Sequence, residues 1–222
     1  MNLLDARLSA VLKLIPKGSI LLDVGTDHCK LPAAGLLQGH LAKAYASDIK
    51  EGPLLAARRQ LAALGLEGQV ELFLSAGLSK VPQEVLEQVT AVSVAGMGGE
   101  VMEVILQEAP AEPPLWILQP MSAIYELLDH LAKEGYKIVS AALAQDGEKL
   151  YRVFGVQKGG APYEADYFGM HRGDPLYSVL LEREERRVLT ALAGLGRAKE
   201  PDAVRIAQET ALLEKIRKAK EE

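Results

Sequence analysis

The sequence predicts an α/β fold: a mostly parallel seven-stranded sheet with flanking helices, followed by an α-helical hairpin. Three observations carry this. Five short apolar runs alternate with segments of helical periodicity, and such alternation demands a parallel sheet with right-handed crossovers. A further pair of strand-like runs flanks Asp146-Gly147, a hairpin turn signal. Beyond Lys158-Gly159-Gly160 the pattern changes to two long, highly charged helical repeats.

The elements follow in order. Residues 2–14 place Leu4, Leu8, Val11 and Leu12 at amphipathic-helix spacing, and Pro16-Lys17-Gly18 ends that helix. A strand is expected at 20–24, a helix at 31–38, a strand at 44–48 and a helix at 52–64 stopped by Gly65. Strands at 70–74, 91–95 and 115–119 alternate with helices at 81–88, 100–108 and 124–134; Pro110, Pro113 and Pro114 break the chain before the last strand, and Gly135 stops the last helix. Strands at 136–142 and 149–157 form the hairpin, so that the final strand runs antiparallel. In the tail, Leu176, Val179, Leu180, Val188 and Leu192 mark one helix, Gly194-Leu195-Gly196 a turn, and residues 201–220 a second helix. Two charged helices joined by a tight turn read as a coiled-coil-like hairpin.

Composition bounds the class. A chain of 222 residues, 49% of them hydrophobic, holds one α/β domain and a small appendage. The division is expected at 1–158 and 159–222. No apolar run is long enough to span a membrane and no charged-then-apolar leader is present, so a soluble, cytoplasmic protein is expected. The lone Cys29 excludes an internal disulfide and fits a reducing compartment. No paired Cys/His spacing suggests a metal. The net charge is −5, and neither part is basic in bulk: 14 Lys/Arg against 18 Asp/Glu before residue 159, 11 against 12 after it. Contact with a nucleic acid must come from a local patch.

Two strand ends outline a pocket. Leu21-Leu22-Asp23-Val24 runs into Gly25-Thr26-Asp27-His28, and Val92-Ser93-Val94-Ala95 runs into Gly96-Met97-Gly98-Gly99. Ligands of open α/β sheets bind at such ends, where glycine lets the backbone approach and a following helix presents free N–H groups. Asp48 closes a third strand about twenty residues after the first glycine, where a carboxylate accepts both ribose hydroxyls. A nicotinamide fingerprint needs glycines at 25, 27 and 30; the chain has Gly25, Asp27 and Lys30. Asp27 would repel a pyrophosphate, whereas S-adenosyl-L-methionine has no phosphate and its ammonium and sulfonium charges suit Asp23 and Asp27. The methyl donor is the better fit, and a sheet of this kind with a terminal hairpin is the architecture of class I methyltransferases, a Rossmann-like fold.

Asp23-Val-Gly-Thr-Asp-His28 with Leu31-Pro32, Ala46-Ser-Asp-Ile49 with Glu51-Gly52-Pro53, Ala95-Gly-Met-Gly-Gly99 and Leu118-Gln119-Pro120 occur in this order. Together with Phe168-Gly169 they closely resemble the bacterial tRNA (adenine-22-N1)-methyltransferases over nearly the whole chain. The resemblance implies S-adenosylmethionine as cofactor and tRNA as substrate. The chain departs from the family pattern at Ala76, where an acidic or amide residue is common, and at Met121 and Leu128.

The candidate cofactor-binding residues are Asp23, Gly25, Asp48, Ile49, Ala76, Gly77, Ala95 and Gly96. Met97, Gly98, Gly99 and Gln119 are expected against the substrate base, whose approach the open glycine backbone would permit. Arg183, Arg186 and Arg187, with Arg172 nearby, are expected against the RNA backbone. Adenine N1 carries no proton, so positioning supplies most of the acceleration; a carboxylate then stabilises the positive charge that the base acquires. Asp27 is the candidate for that role and His28 its assistant. The alternative for Asp27 is a helix N-cap, and for His28 a loop-stabilising hydrogen bond. The tail is either a brace or dimer arm, or a cradle for a large substrate; a monomer or weak homodimer is expected. Rival readings are a methyltransferase with another RNA or small-molecule substrate, and a non-catalytic cofactor-binding module.

Overall fold

The computed structural model describes residues 3–110, 112, 114–197 and 202–222. Asn2, Pro113 and Pro201, which mark element boundaries or breaks in the sequence pattern, lie outside them. The chain forms two compact units, Met1–Ala165 and Asp166–Glu222. This division falls beyond the 158/159 boundary expected from the change in composition, because the segment after the last strand is tied back to the first unit. Gly160 N–H donates to the Gly135 carbonyl at 2.9 Å, and the Tyr163 hydroxyl donates to the Tyr136 carbonyl at 2.8 Å.

In the first unit the chain runs α1 (Ala6–Leu14), β1 (Ser19–Val24), α2 (Lys30–Leu37), β2 (Leu41–Asp48), α3 (Glu51–Ala63), β3 (Val70–Leu74), α4 (Gln83–Leu86), β4 (Ala91–Gly98), α5 (Gly99–Leu106), β5 (Leu115–Ser122), α6 (Ile124–Lys133), β6 (Tyr136–Asp146) and β7 (Lys149–Lys158). The seven strands lie in the order β3-β2-β1-β4-β5-β7-β6. Strand β7 is antiparallel to both its neighbours; the other pairings are parallel. Helices cover parallel strands on both faces, which is why β1 and β4 are continuous apolar runs rather than alternating ones. Leu21, Leu22, Val92 and Val94 are all within 1% of complete burial.

Helix α1 starts at Ala6, later than its apolar spacing suggests, because Asp5 caps it: the Asp5 carboxylate accepts from Leu8 N–H at 2.7 Å. Strand β4 runs on to Gly98 with irregular pairing at Met97, where an open loop is expected from the glycines. Chain direction across the sheet reverses between β1 and β4, so the cleft outside their carboxyl ends is the topological switch point.

The second unit holds a short 3₁₀ turn (Gly169–His171) and helices α7 (Tyr177–Leu195) and α8 (Ala203–Glu221). Helix α7 continues through Gly194, and Gly196 rather than Gly194 marks its end. Leu180, Leu181 and Val188 of α7 and Leu212, Leu213 and Ile216 of α8 are buried. Among the described residues no helix is long and apolar enough to cross a membrane, and no group of three or more His, Cys, Asp or Glu side chains is arranged to hold a metal ion.

Candidate active site

A cleft of about 610 Å³ opens at the switch point. Its floor is the turn after β1. Gly25 and Thr26 N–H groups both donate to the Ser47 carbonyl of β2, at 2.8 and 3.0 Å, folding the turn back over the sheet. Gly25 has φ +74°, and a Cβ there would overlap the Met97 methyl. The positive φ calls for glycine, and a side chain there would also have to displace the Met97 methyl. Asp27 and Cys29 also lie in the left-handed region, at φ +50° and +56°.

Asp23 is the anchor of this turn. Its Oδ1 accepts from Ser93 Oγ at 2.6 Å and its Oδ2 from Thr26 Oγ1 at 2.7 Å, with the side chain buried. Burial pushes the Asp23 carboxyl above the ordinary carboxylate value; the two hydroxyl donors and the nearby Arg7 charge oppose that rise, and Asp48 adds to it. Cys29 is fully buried, and burial, with the Asp23 charge adding to it, pushes its thiol up to about 12. It is an inert packing residue.

The remaining expected residues divide clearly. Asp48, Ile49, Ala76 and Gly77 line the cleft on the β2–β3 side, and Ala95, Gly96 and Met97 line it from β4. Asp27 and His28 stand at its mouth, with the His28 Nε2 to Asp27 Oδ1 distance 3.5 Å and the Asp27 side chain 73% exposed. Asp27 does not cap α2: Cys29 occupies the N-cap position and no side chain caps that helix. Asp48 Oδ1 accepts from Lys50 N–H at 2.9 Å, a local turn that fixes the carboxylate at the strand end.

Six expected residues are outside the cleft lining: Gly98, Gly99, Gln119, Arg183, Arg186 and Arg187. Gly99 opens α5, and a Cβ on it would run into the Ala123 carbonyl oxygen, so this glycine serves helix packing. Gly98 precedes it as the N-cap, against Glu100 and Ser122. Gln119 is completely buried on β5, with its amide donating to the Pro120 carbonyl and its oxygen accepting from Arg7. Arg183, Arg186 and Arg187 lie on α7 in the second unit. Arg187 is held by Glu184 at 2.9 Å and by Glu209 at 3.4 Å, and Arg172 pairs with Glu222.

Two cleft residues carry no signal in the sequence. Arg7, on α1, brings a guanidinium beside Gly96, where a Cβ would sit 3.2 Å from its Nη1. Glu108, just beyond α5, accepts from Leu78 N–H through Oε2 at 2.5 Å. Both belong to helical segments whose local pattern reads only as amphipathic, so no motif marks them. The cleft as a whole holds carboxylates from Asp5, Asp23, Asp27, Asp48 and Glu108, and Arg7, Lys30 and Lys50 are its cations.

Residues 4–154 match the family described as the methyltransferase domain. The chain belongs to that family. The tRNA (adenine(22)-N(1))-methyltransferase of Bacillus subtilis (strain 168) is 28% identical over 188 residues, covering 83% of this chain and 77% of the relative. Among solved structures, Sp1610 of Streptococcus pneumoniae in complex with S-adenosyl-L-methionine is 26% identical with a TM-score of 0.82, covering 97% of this chain and 98% of that one. TrmK of M. capricolum, in complex with the cofactor product S-adenosyl-homocysteine, is 25% identical with a TM-score of 0.80, covering 98% and 97%. The likeness takes in the helical tail as well as the methyltransferase domain, and it bears out the family resemblance carried by the motifs.

Proposed function

We infer that the chain is an S-adenosylmethionine-dependent methyltransferase acting on N1 of adenine 22 in tRNA. The observation that carries this is the switch-point cleft. Two positive-φ glycines, Gly25 and Gly96, open its backbone. Asp48 closes the β2 end, and an excess of carboxylates suits a cationic cofactor. The residues fit the group: Asp48 would hold the ribose hydroxyls, Gly25 and Gly96 would pass beneath the amino-acid part, and Arg7 would pair with its carboxylate. Asp23 keeps the Gly25 turn in shape and sets a negative field under it.

When bound, the cofactor supplies an electrophilic methyl group on a sulfonium sulfur. Adenine N1 attacks with its own lone pair, so no residue has to remove a proton first. The protein's task is to orient the base and exclude water. Met97 and Gly96 face the cleft from β4 and give the base an open edge along which to enter. Methylation leaves the base cationic, and Asp27 at the mouth is the carboxylate that stabilises this charge, with His28 beside it. An exposed carboxylate is weakened by water, so its effect grows as the RNA covers it.

The arginines of α7 serve the RNA backbone in this reading. Arg183 and Arg186 are the ones proposed to meet phosphates; Arg187 pairs with Glu184 and Glu209. Cytoplasmic location and a monomeric or weakly dimeric state complete the proposal. The test is mass spectrometry of nucleosides from an unmodified tRNA after incubation with protein and cofactor. The expected product is N1-methyladenosine, lost when position 22 is changed from adenine; a methylated small molecule with unmodified tRNA would overturn the assignment.

A further inference from the structure

We propose that Glu108 selects the adenine end of the cofactor, accepting a hydrogen bond from the 6-amino group; this rests on the cofactor assignment above. The cleft lining includes large apolar side chains besides its carboxylates. Ile49, Val101 and Val104 are among them and remain 67%, 49% and 59% exposed, left open to water at the walls of a cleft. Such walls suit the two faces of a flat aromatic ring. Ala76 brings no polar side-chain atom, and the Ser75 hydroxyl is engaged as an acceptor for Lys80 N–H at 3.0 Å. Glu108, beside Gly77 and Leu78, is a side-chain acceptor in the same lining.

Its geometry is fixed from both sides. Oε2 accepts from Leu78 N–H, and the carboxylate lies so close over Gly77 that a Cβ there would stand 2.6 Å from Oε2. Gly77, at φ +59°, is what lets the β3 turn fit beneath the carboxylate. With Oε2 engaged, Oε1 is the oxygen offered to a ligand. A carboxylate accepts and cannot donate. Of the polar atoms on adenine, the ring nitrogens are acceptors that it repels, and the exocyclic amine is the donor that it attracts. Glu108 therefore sets which edge of the ring enters the cleft and discriminates against a purine without the amine.

The experiment is calorimetric titration of the full chain with S-adenosylhomocysteine and with its 6-deamino analogue, in wild type and in Glu108→Gln. The glutamine oxygen keeps the Leu78 N–H bond while its NH₂ faces the adenine amine. Wild type is expected to prefer the adenine ligand by about tenfold or more, and the variant to lose that preference with little change toward the analogue. An unchanged preference in Glu108→Gln, or none in wild type, overturns the proposal. Absence of binding by either ligand to wild type overturns the cofactor assignment and this proposal with it. Should the variant not fold, S-adenosylhomocysteine labelled with ¹⁵N at the 6-amino group gives a second readout on wild type. One amine proton is expected to move downfield on binding, and unshifted amine protons in the complex would overturn the assignment.

Discussion

Arg7 Nη1 donates a hydrogen bond to Gln119 Oε1 at 2.9 Å, joining α1 to β5 across 112 residues of sequence. Gln119 is completely buried and holds the guanidinium from behind, so that Arg7 faces the cleft as a fixed charge beside Gly96. If Arg7 pairs with the cofactor carboxylate, Arg7→Ala should weaken S-adenosylhomocysteine binding by roughly 1.5–3 kcal/mol, the range for a hydrogen bond to a charged group. Methylthioadenosine, which lacks the amino-acid part, should bind the variant as it binds wild type. Gln119→Ala, which leaves the charge but frees it to wander, should show a smaller loss in the same direction. Calorimetry with both ligands decides; equal losses for the two would remove Arg7 from the carboxylate.

Asp27 separates chemistry from binding. The residue sits at φ +50° and makes no helix cap, so the cost of Asp27→Ala falls on the backbone rather than on a cap. Alanine in the left-handed region costs roughly 1–2 kcal/mol, whereas asparagine tolerates it. Asp27→Asn should therefore melt like wild type while single-turnover methylation falls by roughly 10²–10³-fold, the scale for one preorganised electrostatic group. Methylation by the Asn variant at the wild-type rate would leave His28 and β4 as the places to look for charge stabilisation.

Asp23 links stability to pH. Its folded carboxyl titrates above the ordinary value of 3.8. As pH rises past 3.8 the unfolded chain gives up this proton before the folded one does, so the folded state loses stability through that window up to its own raised pKa. Asp23→Asn removes the buried charge; its amide oxygen accepts from Ser93, and its NH₂ donates to the Thr26 hydroxyl. The variant should match wild type in thermal melts near pH ~3 and exceed it at pH ~7. At the same time its affinity for S-adenosylmethionine should fall, since the negative field under the turn is gone. A melting difference that is the same at both pH values would contradict the burial account.

The α7 arginines can be tested in the full chain. Arg183→Glu combined with Arg186→Glu should weaken tRNA binding and make its dependence on salt shallower, by about one unit of slope for each phosphate no longer neutralised. Binding of S-adenosylhomocysteine should be unaffected. Arg187 is unsuited to this test because its pair with Glu209 ties α7 to α8. Unchanged tRNA affinity with an unchanged salt slope would leave the tail a structural brace.

The strand and helix sequence of this chain is written into local composition. Strand β3 occupies Val70–Leu74 as expected, because an apolar run is bounded by Gly68 on one side and Ser75-Ala76-Gly77 on the other. The glycine turn after β1, the carboxylate at Asp48 and the family motifs are legible for the same reason: each is a short pattern whose conformation is settled within a few residues. What only the tertiary structure decided is which polar groups meet. Arg7 reaches Gln119 across 112 residues and Glu108 reaches Leu78 across 30. Both contacts depend on strand order and on how α1 and α5 lie over the sheet. Helical periodicity tells which face of each helix is buried, but carries nothing about the groups waiting on the other side. Gln119 turned inward follows from the same cause, a partner brought in from distant sequence after local structure has already fixed the backbone; Asp27 left uncapping is a local matter, since Cys29 takes the N-cap position.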